Sequence, residues 1–198
     1  MSKRLIIALI TDILMVVVLV MIICGCQKNG LPDDIPDEFW YAPVSVPRRV
    51  TTIQIDKGRF TGKFNDISLY APEIEISEFE GNFEDIKMNP DGNYYTMHIG
   101  NVKYDRPIGE EWEESEDWDG EKVVFHYTET EADGLDNGRE YTLFLPGEKV
   151  IDTSDEFQEA WKEYLDNSDP VDGYDGTLWD YVLYGGEDLI FLPGSGDS

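Results

Sequence analysis

Between Arg48 and Arg106, apolar side chains recur at every second position in short runs. This alternation restricts the stretch to half-buried β-strands. Ile53 and Ile55 form one pair, Phe60 and Phe64 flank Gly62, and Ile67, Leu69 and Ala71 continue the pattern. Ile74 and Ile76 follow Pro72, and Phe83, Ile86 and Met88 lead into Asn89-Pro90-Asp91-Gly92. That tetrad predicts a turn, because Pro presets φ and Gly accepts positive φ. Tyr95, Met97 and Ile99 alternate out of it, and Val102 and Tyr104 extend the strand past Gly100. Val123, Phe125 and Tyr127 predict another strand, as do Tyr141, Leu143 and Leu145. Leu178 to Tyr184 and Leu189 to Leu192 read as two last strands around Gly185-Gly186, a pair suited to a tight hairpin.

One helix interrupts this series. Phe157, Ala160, Trp161, Tyr164 and Leu165 fall on one helical face, and Asn167 and Pro170 end it. Thr153 and Glu156 have the spacing of a capping box. Many short antiparallel strands with one late helix predict a mainly β fold, an antiparallel barrel or a sandwich with the helix packed on it. The Asn-Pro-Asp-Gly turn, the aromatic alternating strand after it and the late helix resemble lipocalin-like bacterial lipoproteins. That resemblance implies a barrel.

The chain opens differently. Lys3 and Arg4 precede an apolar run from Leu5 to Cys24 in which Thr11 and Asp12 are the clearly polar residues. A basic start before such a run marks a secretory signal or a membrane helix, with the basic side in the cytoplasm. The uncharged stretch Ile13 to Ile23 suits a signal core and is too short to span a bilayer alone. Its end, Ile23-Cys24-Gly25-Cys26, resembles the lipobox of bacterial lipoproteins. The resemblance implies cleavage after Gly25 and acyl chains on the Cys26 thiol; an uncleaved transmembrane anchor is the alternative. Residues 1–25 are therefore expected to be a signal peptide or anchor. Residues 26–47, with Pro32, Pro36, Pro43 and Pro47 among Asp33, Asp34 and Asp37, are expected to be a tether that holds the domain off the membrane. Phe39, Trp40 and Tyr41 are expected to dock that tether. Residues 48–198 form the expected extracytoplasmic domain.

Charge narrows the partners. The 198-residue chain carries 42 acidic and 15 basic residues, a net −27. A cut before Cys26 removes Lys3, Arg4 and Asp12 and leaves the remainder more acidic still. Such a field repels nucleic acid and favours a basic protein or a divalent cation. Both cysteines lie in the first 26 residues, so the domain has no disulfide and depends on its hydrophobic core.

Gly109 to Gly120 reads as an acidic loop. Within it Trp112, Asp117, Trp118 and Asp119 are the candidate ligand or cation residues. Asp117-x-Asp119-Gly120 fits three positions of an EF-hand loop, but the twelfth would be His126 instead of a bidentate Glu. Trp112 and Trp118 are expected to anchor the long loop, with stacking on a sugar ring as the alternative. His98 and His126 are isolated, no zinc, nucleophile-elbow or phosphate-loop pattern occurs, and no catalytic residue or cofactor is assigned. The expected function is that of a membrane-anchored binding or interaction module, not an enzyme. An accessory subunit of an envelope complex is the alternative, and a carbohydrate-active enzyme the third reading. A small ligand would occupy a barrel mouth or an aromatic-lined loop.

Overall fold

The computed structural model describes residues 30–43, 48–68, 71–118, 121–128, 135–168, 173–187 and 189–194, in backbone alone at 114–118 and 121. The strands are β1 (Glu38–Tyr41), β2 (Arg49–Asp56), β3 (Arg59–Ile67), β4 (Glu73–Met88), β5 (Tyr94–Ile99), β6 (Lys103–Tyr104), β7 (Glu111–Trp118), β8 (Glu121–Tyr127), β9 (Glu140–Phe144), β10 (Val182–Tyr184) and β11 (Ile190–Pro193). One helix, α1 (Asp155–Asn167), lies between β9 and β10.

Eight strands close a barrel, in the order β1-β2-β3-β4-β5-β9-β10-β11 and back to β1. Every neighbouring pair in it is antiparallel. This is an up-and-down meander with β6, β7 and β8 inserted before β9 and α1 inserted after it. Closure removes the edges that a sandwich would leave. The mainly β prediction with one packed helix therefore holds, in its barrel form.

The lumen is filled by the alternating residues the sequence marks. Phe39, Ile53, Met97, Ile99, Tyr141, Leu143, Leu183 and Phe191 are each 0–1% exposed. Aromatic rings cross it from wall to wall. Phe60 of β3 meets Phe83 of β4 at 5.0 Å, Phe83 meets Tyr141 of β9 at 6.3 Å, Tyr141 meets Phe191 of β11 at 6.1 Å, and Phe191 meets Tyr41 of β1 at 5.3 Å. Two cross-strand glycine–aromatic pairs make room for this. Gly62 lies opposite Phe79 and Gly81 opposite Phe60. In each pair the ring occupies the space a glycine side chain would need, with Phe79 carbons 2.3 Å from the Cβ position of Gly62.

A second apolar cluster lies outside the barrel, where α1 covers β9, β10 and β11. Phe157 and Trp161 of the helix pack on Phe144, Val182, Tyr184 and Ile190. The outer positions of these strands are apolar for that reason, which explains three consecutive buried residues in β10. The helix cap differs from the expected capping box. Ser154 is the N-cap and accepts from the Phe157 N–H, while Thr153 donates to Val150 O and Glu156 accepts from the Glu187 N–H. Helix propagation starts one residue later because Thr153 closes the preceding 3-10 turn, Val150–Asp152.

Several other boundaries move. β4 runs unbroken through 16 residues, with a register shift between Glu84 and Lys87 and a positive φ of 53° at Asp85. That bulge flips the side-chain alternation, so Phe83 and Ile86 belong to one strand although their parity disagrees. Val102 and Tyr104 do not extend β5; the chain leaves the barrel after Ile99, and β6 pairs with β4 instead. Leu178 to Tyr181 is not strand, since Leu178 turns back to bond Glu148 O and Gly147 N.

The expected acidic loop is a strand. β7 pairs antiparallel with β8, and β8 runs parallel to the first residues of β4, from Glu73↔Val124 to Ile76↔Tyr127. Glutamate is depleted in strands, so the sequence reads as loop. On a sheet edge, charged side chains are tolerated and even useful. Tyr127 fastens this hairpin to the body. Its buried hydroxyl faces the Asp105 carboxylate and the Glu78 carbonyl (2.6 Å) and accepts from the Glu78 N–H at 3.0 Å.

The compact body starts at Leu31, inside the expected tether. Leu31 and Phe39 are core residues at 9% and 0% exposure, and Glu38–Tyr41 closes the barrel between β2 and β11. Phe39, Trp40 and Tyr41 do dock, as a barrel strand. Among the described residues no helix is long and apolar enough to cross a membrane, and the Leu5–Cys26 stretch lies outside them.

Candidate interaction surfaces

The residues singled out from the sequence sit on the β7–β8 hairpin. Trp112 stacks on its cross-strand partner Phe125 with ring centroids 5.2 Å apart and planes 8° from parallel. The Arg106 guanidinium lies over Trp112, 4.5 Å from its centroid. The ring is engaged by both neighbours rather than held open for a sugar. Glu113 accepts from Lys122 at 2.9 Å, and Glu111 meets His126 Nδ1 at 3.1 Å. Glu113 and Glu111 thus each face a basic side chain across the ladder; Lys122 holds the Glu113 carboxyl below the usual range, in a fully exposed pair. The backbone of Asp117 and Trp118 belongs to β7, while their side chains and all of Asp119 lie outside the described residues. The cation reading rests on those atoms. Among the described residues no three imidazole, carboxylate or thiol groups converge as metal ligands. His98 Nε2 faces Glu140 at 3.5 Å on the barrel exterior.

The barrel end below β4 is stoppered by residues 31–37. Leu31 belongs to the buried cluster of the lumen, and Ile35, Ile86, Leu145 and Tyr181 pack against that cluster. Burial pushes the Tyr181 hydroxyl up to about 12, reinforced by the Asp34 carboxylate that accepts its hydrogen bond. The same burial and the same carboxylate raise Tyr95. At this end of the barrel the chain's own residues 31–37 occupy the mouth.

Glu148 lies at this end, 8% exposed. Burial raises its pKa, and the negative charges of Asp152 and Asp91 raise it further. The ionised form is thus disfavoured in the folded state. The stability this group contributes is complete below the ordinary carboxylate pKa and is lost as pH rises through the raised folded value. Glu148→Gln is expected to raise Tm at pH 7 by about 2–4 °C, as about 1 kcal/mol does in a chain of this size. The gain should vanish near pH 4; thermal unfolding of both proteins at the two pH values checks it. An unchanged or lower Tm at pH 7 rules out the burial argument.

Open grooves lie on the barrel's outer face. A polar trough of about 1020 Å³ crosses β2, β3 and β4, lined by Gln54, Arg59, Thr61, Asn82, Asn101 and Lys103 among others. An adjoining groove of about 650 Å³ continues it toward Lys63 and Tyr104. Two more apolar grooves flank α1. One, of about 490 Å³, holds Ile151, Trp161, Leu165 and Tyr174 between Lys149 and Lys162. Trp179 is 48% exposed and packs on Trp161 and Tyr174 at 5.4 and 5.7 Å. The other, of about 350 Å³, lies between Trp40 and Tyr164. Sequence reasoning assigns the helix stripe to the core and misses these flanks. Trp40 is expected to dock the tether and Trp179 to lie in a strand, so neither is marked from the sequence as a groove-flanking surface residue.

No protein-family model, curated protein or solved structure matches this chain.

Proposed function

We propose that this chain is a membrane-anchored extracytoplasmic lipoprotein whose lipocalin-like barrel is an interaction module that binds through its exterior. The packed lumen carries this reading. Rings from β1, β3, β4, β9 and β11 meet across it, and residues 31–37 stop one end. A carrier of small hydrophobic molecules needs that space, so the small-ligand form of the reading moves from the lumen to the outer grooves. Cys26 bears the lipid, Gly25 is the residue before the cut, and the module acts without catalysis or a cofactor. The net charge of −27 selects a basic protein partner and supports the alternative, an accessory subunit of an envelope complex.

Two measurements test the two halves. In a bacterium, mass spectrometry should find a product that begins at Cys26 and carries acyl chains, and Cys26→Ser should leave the chain unprocessed. A full-length unmodified product unaffected by the substitution refutes the lipid anchor. A pull-down from detergent-solubilised membranes should retain a basic protein at low salt and lose most of it at about 0.5 M salt, where screening acts within a few ångströms. Retention that ignores salt refutes the electrostatic partner.

A further inference from the structure

We propose that the barrel stands on the membrane with its Leu31 end down, resting a ring of exposed apolar side chains on the headgroup layer while the β7–β8 hairpin points away. The proposal rests on the lipid-anchor reading above. Leu31 is five residue steps from Cys26. An extended chain covers at most about 3.5 Å per residue, so a lipidated Cys26 holds Leu31 within about 18 Å of the bilayer. The segment expected to supply more reach has none to give, because Leu31 is buried and Glu38–Tyr41 is a barrel strand.

The surface at that end suits contact. Met88, Ile151 and Trp179 are 44%, 74% and 48% exposed, three of the six large apolar side chains that are exposed among the described residues. Hydrogen bonds among their chain neighbours bring them toward that end. Met88 precedes the turn whose Asn93 O accepts from Leu145 N, and Leu178 and Glu148, near Trp179 and Ile151 in the chain, bond each other. Lys87 and Lys149 stand beside them in the chain. Trp and Lys are the residues that sit at a membrane–water boundary, the first by its amphipathic ring and the second by its long stem. The end also carries Asp33, Asp91 and Asp152, which makes a zwitterionic bilayer the surface that fits. The hairpin lies far from it. β8 pairs with β4 at residues 73–76, twelve residues from Met88 and so roughly 40 Å along the strand at about 3.3 Å per residue.

The test uses the full lipidated chain in phosphatidylcholine vesicles. Cys24 leaves with the signal and the Cys26 thiol carries lipid, so one added cysteine gives one labelling site. Asp91→Cys probes the Leu31 end and Lys122→Cys the hairpin, each with an environment-sensitive fluorophore and nitroxide-headgroup lipids as quenchers. Quenching at position 91 should exceed that at 122 by at least threefold, and Trp179→Glu with Ile151→Glu should reduce it by half or more. Equal quenching, stronger quenching at 122, or no quenching at either position while the chain floats with the vesicles overturns the orientation and leaves the anchor standing. A chain that does not float overturns the anchor and this orientation with it.

Discussion

A chain that begins at Arg48 will not fold to a stable monomer, whereas one that begins at Gly30 will. The alternating pattern places the start of the domain at Arg48, so the experiment separates the sequence reading from the observed barrel. Removing residues up to 47 strips Leu31, Phe39 and Tyr41 from the core, at 9%, 0% and 5% exposure. Each fully buried side chain of this size contributes about 1.5–3 kcal/mol, and a whole domain is stable by only about 5–15 kcal/mol. The cut also removes the strand between β2 and β11, leaving two unpaired edges, a direct route to aggregation. Circular dichroism and size-exclusion chromatography of both chains decide the matter. A peptide of residues 30–43 added in trans should restore part of the signal. A monomeric Arg48 chain with a cooperative transition would show β1 to be dispensable.

The second large effect is at Gly62. Its φ is ordinary, so conformational freedom is not the reason for glycine there. A Cβ at this position would meet two Phe79 ring carbons at 2.3 Å and the Thr52 carbonyl at 2.8 Å. The ring has little room to retreat, because Phe60 and Tyr104 pack edge-on against it at 6.4 and 6.2 Å. Overpacking of a filled core costs about 1–3 kcal/mol and occasionally more, so Gly62→Ala should cost about 3 kcal/mol and Gly62→Val should prevent folding. Gly30→Ala, where nothing lies within 4 Å, is the neutral control. Gly62→Ala combined with Phe79→Leu should cost less than the two single changes added together, since the smaller side chain vacates the contested space. Additive costs in that double-mutant cycle would refute the steric account.

These two expectations mark where sequence reading stops. The inward residues of β2, β3, β5 and β9 were legible, because period-two alternation is a local property of the chain. So was the helix stripe, whose Phe157 and Trp161 are buried where the periodicity places them. What failed were elements whose identity depends on distant partners. Prolines and aspartates at 32–37 read as tether because their local preference is extended and solvated, yet the barrel mouth supplied the Tyr181 hydroxyl, 147 residues beyond Asp34, to donate to its carboxylate. The glutamates of β7 read as loop because acids are poor strand formers alone, yet β8 supplied Lys122 and His126 across the ladder.

By itself the sequence determined the class of structure and its chemistry. Alternation set antiparallel strands, composition set an acidic exterior and a core without disulfides, and the first 26 residues set the expected attachment to a membrane. Tertiary structure alone decided that the sheet closes, that β1 closes it, and that aromatic rings fill the lumen. Closure depends on strand pairs as far apart as Trp40 and Leu192, and no local preference encodes a partner at that separation. Filling depends on side-chain volumes summed across the barrel, with glycine on one strand making space for a ring on the next.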